Sequence, residues 1–292
     1  MKKIVVILGP TAAGKTGMSL ALAKKFNGYI ISADSRQVYR GMDIGTGKLT
    51  KDKWQGITHR MIDIMDPDQE FSLAQFQKTV FAIINEEKEK LPFLVGGTGL
   101  YIQSIVDNLD IPKGGVDKVL RNKLEEKTAE ELFKMLIQLD YKSAQEIDIN
   151  NKRRLIRAIE VFKISGEKYS ELKGKKSPNL DALQIGIKLS REEMYDRIDR
   201  RVDEMIQEGL VDEVKALGEQ YGWEIPAMSA IGYKQLSAYF KHELSLDDAI
   251  ASIKNDSHHY AKRQMTWFKR DGRIKWVKST QEAEALVADF LG

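Results

Sequence analysis

Gly9-Pro10-Thr11-Ala12-Ala13-Gly14-Lys15-Thr16 satisfies the pattern G-x-x-x-x-G-K-[ST], and its reading decides the fold. The run from Lys3 to Leu8 before it is apolar and stops at glycine, as a buried parallel strand does. No small-residue cleavage site follows that run, so it reads as a strand rather than a signal sequence. After the loop, Met18, Leu20, Ala21, Leu22 and Phe26 give a helical pattern up to Asn27-Gly28. A strand, a glycine-bounded loop and a helix form the context in which the pattern has physical meaning. Glycines let successive backbone N–H groups turn toward phosphate oxygens, and the helix N-terminus adds a partial positive charge. Lys15 supplies a full charge, and the Thr16 hydroxyl can ligate Mg²⁺. The stretch predicts a cradle for a diphosphate or triphosphate.

Further along, a second strand is predicted over Tyr29–Ala33, ending at Asp34. A helix is predicted from Phe71 to Leu91, then a short strand, Phe93-Leu94-Val95, ending at Gly96-Gly97-Thr98-Gly99. Such alternation implies a parallel sheet with right-handed crossovers. From Val116 to about Tyr169 the periodicity is helical, Lys173 to Asn179 reads as a linker, and Gln184 to Leu189 alternates as a strand returning to the sheet. The expected fold is α/β: a P-loop nucleoside-triphosphate-hydrolase-like core with a parallel sheet, residues 1–112 and 183–292. An all-helical domain is inserted at 113–182. In the C-terminal part, Met194, Ile198, Val202, Met205 or Ile206, Leu210, Val214 and Leu217 read as the stripe of one helix. Ser245 and Asp248 read as a capping box opening another, with Ile250, Ile253, Ala261, Met265 and Phe268 on its inner face.

The 292 residues are 42% hydrophobic, ample for a core, and no apolar run approaches a membrane span. Zero cysteines exclude disulfides and thiolate zinc sites and fit a cytoplasmic protein. Formal net charge is only +3, but Lys152–Lys176 carries nine Lys/Arg against three Glu, and His258–Lys278 seven against one Asp. Two basic segments in a nearly neutral chain suggest a polyanionic partner larger than a nucleotide; two solvated helix faces are the plainer reading.

The short strand that ends in Gly96-Gly97 lacks the terminal Asp or Glu of a hydrolytic metal site. Asp34 ends its strand where open α/β sheets place ligands; it suits a general base, a helix cap or a ligand to magnesium-bound water. The Gly96–Gly99 segment either admits close approach of a ligand, with the Thr98 hydroxyl beside it, or is a tight turn. Arg197 and Arg201 can reach a phosphate or pair with the acidic residues around them. Lys262, Thr266, Lys269 or Arg270, and Arg273 recur at helical spacing and suit a nucleic-acid backbone; the interleaved Tyr260, Trp267 and Trp276 read as stacking platforms or, more plainly, as core. His258 and His259 lack metal-site spacing and read as surface residues.

Five more blocks accompany the phosphate loop: Ser32 to Thr46, which includes Asp34-Ser35-Arg36-Gln37-Val38-Tyr39; Gly96 to Ile102; Lys152 to Glu160; Ile231-Gly232-Tyr233-Lys234; and Tyr260 to Phe268. In that order, across essentially the whole chain, they resemble the bacterial tRNA dimethylallyltransferase (isopentenyltransferase) family. The resemblance implies transfer of a dimethylallyl group from dimethylallyl diphosphate to N6 of the adenosine 3′-adjacent to a tRNA anticodon. It implies Asp34 as general base, and Lys15 with the loop Gly9, Pro10, Thr11, Ala12, Ala13, Gly14 around the diphosphate. Thr16 would ligate Mg²⁺, and Arg197 would contact the leaving group. Ser35, Arg36 and Gln37 would read the extruded base beside Thr98, with Arg121, Arg153, Arg154, Leu155, Ile156 and Arg157 on the tRNA. The 111–150 segment is shorter than is usual for the family. Without cysteines the chain lacks the zinc finger of eukaryotic relatives, which favours the bacterial form, and a monomer is expected. An ATP-dependent small-molecule kinase and a non-catalytic RNA-binding module are the competing readings.

Overall fold

A computed structural model describes residues 1–112, 117–172, 174–177 and 179–292. The chain forms two compact units, Met1–Val106 with Asn179–Gly292, and Asp107–Pro178. In chain order the first unit carries β1 (Lys2–Leu8), α1 (Lys15–Lys25), β2 (Gly28–Ser32), β3 (His59–Arg60), α2 (Leu73–Glu86), β4 (Leu91–Gly96) and α3 (Gly99–Val106). The second unit holds β5 (Leu109–Asp110), α4 (Lys118–Glu125), α5 (Ala129–Leu139), α6 (Tyr141–Glu146), α7 (Lys152–Ser165), α8 (Tyr169–Leu172) and β6 (Gly174–Lys175). The first then resumes with β7 (Leu180–Ile187), α9 (Arg191–Gln207), α10 (Leu210–Tyr221), α11 (Tyr233–Phe240), α12 (Leu246–Phe268), β8 (Lys275–Val277) and α13 (Thr280–Leu291). Val116, Lys173 and the boundary at residue 113 lie outside the described residues.

The main sheet has six parallel strands in the order β3-β2-β4-β1-β7-β8. Residues Ile4 to Leu8 of β1 are fully buried because both faces of the sheet are covered. Ile4, Val6 and Leu8 pack with Phe76, Val80 and Ile105, and Val5 and Ile7 pack with Leu22, Phe93 and Val287. Alternate residues of one strand thus enter two different cores, one under α2 and α3, the other under α1 and α13. Each such side chain contributes about 1.5–3 kcal/mol of burial. Register places Leu8 beside Gly96 and Gly186, and Ser32 beside Val95. The loops leaving β1, β2, β4 and β7 therefore emerge at one edge, where strand order reverses and α/β sheets bind ligands.

Several details depart from the sequence reading: the second unit spans Asp107–Pro178 rather than 113–182, it carries the short strands β5 and β6 and so is not all-helical, and β7 begins at Leu180 rather than at Gln184. The stripe from Met194 to Leu217 is split between α9 and α10 at Gly209, whose φ of 102° carries no penalty only in glycine. At the start of α12, Ser245 Oγ accepts the Asp248 N–H at 3.1 Å but donates to Asp248 Oδ2 at 2.6 Å, so the cap forms without the reciprocal half of the box. The helix expected from Phe71 to Leu91 is shorter, held at its start by a Ser72–Gln75 capping box, and Leu91 already belongs to β4.

In the helical unit, Leu124, Leu132, Leu136, Ala144, Leu155, Ile156 and Ile159 form a core. An antiparallel ladder pairs Leu109 with Lys175 and Asp110 with Gly174.

Candidate active site

The phosphate loop joins β1 to α1. Ala12 (φ 59°) and Gly14 (φ 90°) take left-handed backbone and turn the loop back on itself. No side chain caps α1, so its first amides are available to an anion. Lys15 Nζ donates to the carbonyls of Pro10 at 2.6 Å and Gly9 at 3.1 Å. Burial pushes the Lys15 ammonium down to about 8, and the attraction of Asp34 offsets part of that.

Asp34 follows β2, and its Oδ1 accepts the Arg36 N–H at 2.8 Å, a local turn that orients the carboxylate. Asp34 shares a cavity of about 540 Å³ with loop residues Thr11 to Thr16, Gln37, Gly97, Arg197, Tyr260 and Gln264. Thr98 Oγ1 accepts the Ser35 N–H at 3.2 Å, and the Tyr260 hydroxyl is hydrogen-bonded to the same side chain. Burial, then the Asp34 charge, raises the Tyr260 pKa, so the phenol keeps its proton. Gln264, on α12, bridges two loops: its Oε1 accepts the Thr11 N–H at 3.0 Å and its Nε2 donates to the Gly97 carbonyl at 2.9 Å. A β-carbon on residue 97 would lie 2.2 Å from that nitrogen, which is why glycine stands there.

Arg197 reaches over the start of α1, its Nη1 3.9 Å from where a β-carbon on Gly14 would sit. Arg200 and Arg201 line the same cavity, and Arg201 is shared with Glu204 and Glu208 at 3.5 and 3.2 Å. The Arg36 guanidinium turns instead to the Pro226 carbonyl and Ser229 Oγ, both at 3.2 Å. Among the described residues no group of three or more His, Cys, Asp or Glu gathers to hold a metal. Thr16 lines the cavity, and its hydroxyl is a hard oxygen donor of the kind that suits Mg²⁺, an ion that takes few protein ligands and completes its shell with substrate phosphates.

In the helical unit, Arg153 and Arg154 are exposed on α7. Arg121 and Arg157 both donate to Glu160 Oε2, at 2.8 and 2.7 Å, and Glu160 is fully buried. Leu155 and Ile156 bury their side chains in the core of this unit, so any contact of theirs with a partner would be through the backbone.

A family model described as IPP transferase matches residues 37–271. The chain belongs to this family. The match begins just after Asp34, but similarity to single members extends further. The tRNA dimethylallyltransferase of Carboxydothermus hydrogenoformans is 45% identical over 291 residues, covering 97% of this chain and 94% of that protein. That of Bacillus mycoides is 45% identical over 287 residues, covering 96% and 90%. Among solved structures, the tRNA isopentenylpyrophosphate transferase of Bacillus halodurans matches with a TM-score of 0.75 at 39% identity, covering 100% of this chain and 96% of that one. A eukaryotic dimethylallyltransferase, described as acting on tRNA, matches with a TM-score of 0.88 at 28% identity, covering 100% and 80%.

In this IPP transferase, then, the fold brings Thr11 to Thr16, Asp34, Gln37 and Arg197 to one cavity, with Thr98 one hydrogen bond away. Gln264 was not anticipated as a site residue, because its partners lie 253 and 167 positions away. Tyr260 stood out only as one aromatic among basic residues. His258 is not a free surface residue either: it stacks on Tyr195 with ring centroids 4.1 Å apart and faces Asp199 at 2.8 Å.

Proposed function

We propose that this IPP transferase moves the dimethylallyl group of dimethylallyl diphosphate onto N6 of the adenosine 3′-adjacent to a tRNA anticodon, releasing diphosphate. The observation that carries the reading is the single cavity holding the phosphate loop and Asp34 together. It sets a leaving-group cradle beside a carboxylate, an arrangement for displacement by a substrate nitrogen. The names of relatives matched over nearly their whole length support it.

In this reading Asp34 takes a proton from N6 as the bond from N6 to the prenyl C1 forms. The C1–O bond breaks, and its electron pair leaves on the diphosphate. Lys15, the loop amides and Arg197 offset the charge that concentrates there. Thr16 would hold Mg²⁺, which would supply further neutralisation of the departing charge. The adenine must leave its stack to reach Asp34, and Ser35, Gln37 and Thr98 would receive it. Arg36 supports that loop from outside. Arg121, Arg153, Arg154 and Arg157 serve the tRNA backbone, with the helical unit as their platform.

The chain is taken to act as a cytoplasmic monomer; among the described residues no helix is long and apolar enough to cross a membrane. A kinase would use the same loop, but membership of the IPP transferase family does not favour it. Labelled dimethylallyl diphosphate and unmodified tRNA, with and without Mg²⁺, test the proposal directly. Transfer of label to tRNA is expected; phosphorylation by ATP without prenyl transfer would overturn it.

A further inference from the structure

Glu213 lies on α10 and does not line the cavity, yet its carboxylate organises one of the cavity walls. Its Oε2 accepts the N–H groups of Asp43 at 3.0 Å and Ile44 at 2.7 Å. Its Oε1 accepts the Gly45 N–H at 3.1 Å and the Tyr233 hydroxyl at 2.6 Å. Successive amides that converge in this way form an anion-binding nest, here filled by a side chain from another element. The Tyr233 ring occupies the space of a missing side chain, since a β-carbon on Gly45 would lie 2.5 Å from its Cε2. Tyr233 is fully buried. Beside it, the Gly232 N–H is accepted by Gln235 Oε1 at 2.9 Å, and Gln235 donates to Asp256 Oδ2 at 2.7 Å. The Ile231-Gly232-Tyr233-Lys234 block, which has no part in the chemistry above, is thereby the far anchor of the loop.

At the near end, Gly45, Thr46 and Gly47 line the cavity. The Thr46 carbonyl accepts Gln37 Nε2 at 3.2 Å, while Ser32 Oγ donates to Gln37 Oε1 at 2.8 Å. Both ends of the Gln37 amide are therefore fixed, one of them by the loop that Glu213 holds.

We propose that Glu213 is a positioning residue for the transfer: it holds the 43–47 loop as a cavity wall and, through the Thr46 carbonyl, sets the orientation of the Gln37 amide. The inference rests on the transferase reading above. Without the carboxylate, three amides lose a shared acceptor, the loop can adopt other conformations, and misplacement of the acceptor base lowers the rate.

The test measures kcat/KM for tRNA and, separately, the affinity for inorganic pyrophosphate. Glu213→Ala is expected to lower kcat/KM about tenfold or more. Pyrophosphate affinity should stay within about twofold, because among the described residues the phosphate loop shares no hydrogen-bond partner with Glu213. Glu213→Gln keeps one accepting oxygen for two of the amides and should lose less; Tyr233→Phe keeps all three amide bonds and should lose least. General unfolding would not produce that order, and if the alanine variant is insoluble the other two still report it. Gln and Phe variants indistinguishable from wild type, or pyrophosphate affinity falling in step with kcat/KM, would overturn the proposal. A wild-type protein that binds pyrophosphate and transfers nothing would instead overturn the transferase reading, and this inference with it.

Discussion

Gln264 and Thr11 are joined by a 3.0 Å hydrogen bond that ties the phosphate loop to α12, and the other end of the same amide holds Gly97. Gln264→Leu keeps the bulk and removes both bonds. Each group left unpaired at this buried position costs about 1–3 kcal/mol, so chemical denaturation should show a clear loss of stability. A change under about 0.5 kcal/mol, the size of an ordinary surface substitution, would mean that the bridge contributes nothing.

Lys15 gives diphosphate binding a definite pH dependence. Its pKa in the free protein is about 8, and a diphosphate beside it must raise that value. Between the two values the complex holds a proton that the free protein lacks, so the Lys15 contribution to affinity falls as pH rises through about 8 and is level below it. Calorimetric titration with pyrophosphate in buffers of different ionisation enthalpy, run on wild type and Lys15→Met, should show more proton uptake by wild type in that window. Equal proton exchange by the two proteins would contradict the assignment.

Asp34→Asn keeps an oxygen to accept the Arg36 N–H and so preserves the local turn. It removes the proton acceptor. Transfer should fall about 10²–10⁴-fold, with melting temperature and tRNA binding close to wild type. An active asparagine variant would exclude Asp34 as the base.

The arginines of the helical unit should divide into two classes. Arg153 and Arg154 are exposed, so alanine at either should leave stability within about 0.5 kcal/mol. If each contacts one phosphate, the dependence of log affinity for tRNA on log salt should become shallower by about 0.7–0.9. Arg121 and Arg157 are 34% and 30% exposed but share the wholly buried Glu160. Removing both arginines strands that carboxylate and should cost about 3–5 kcal/mol. Urea denaturation of the single and double variants checks the division.

What the sequence made legible was local. The phosphate loop lies between its strand and its helix, and Asp34 stands at the end of the next strand, so neighbouring residues suffice to place them. Gln264 and Glu213 act on partners more than 160 positions away, and nothing in their own surroundings announces it. Leu155 and Ile156 were grouped with the arginines around them, although helical geometry turns them inward while Arg153 and Arg154 point out. Apolar spacing persists across Gly209, so the stripe predicts one helix, and the positive φ at that glycine is where the helix breaks.

The two-sided packing of β1 also restricts how such a chain can change in length. Inserting or deleting one residue between Ile4 and Leu8 would send every following side chain of the strand into the opposite core. The phosphate loop would be displaced with them. Among the described residues of the Asp107–Pro178 unit the core is built from helices, whose ends carry no such alternation. Evolutionary gain and loss of residues should therefore accumulate there and spare the first strand.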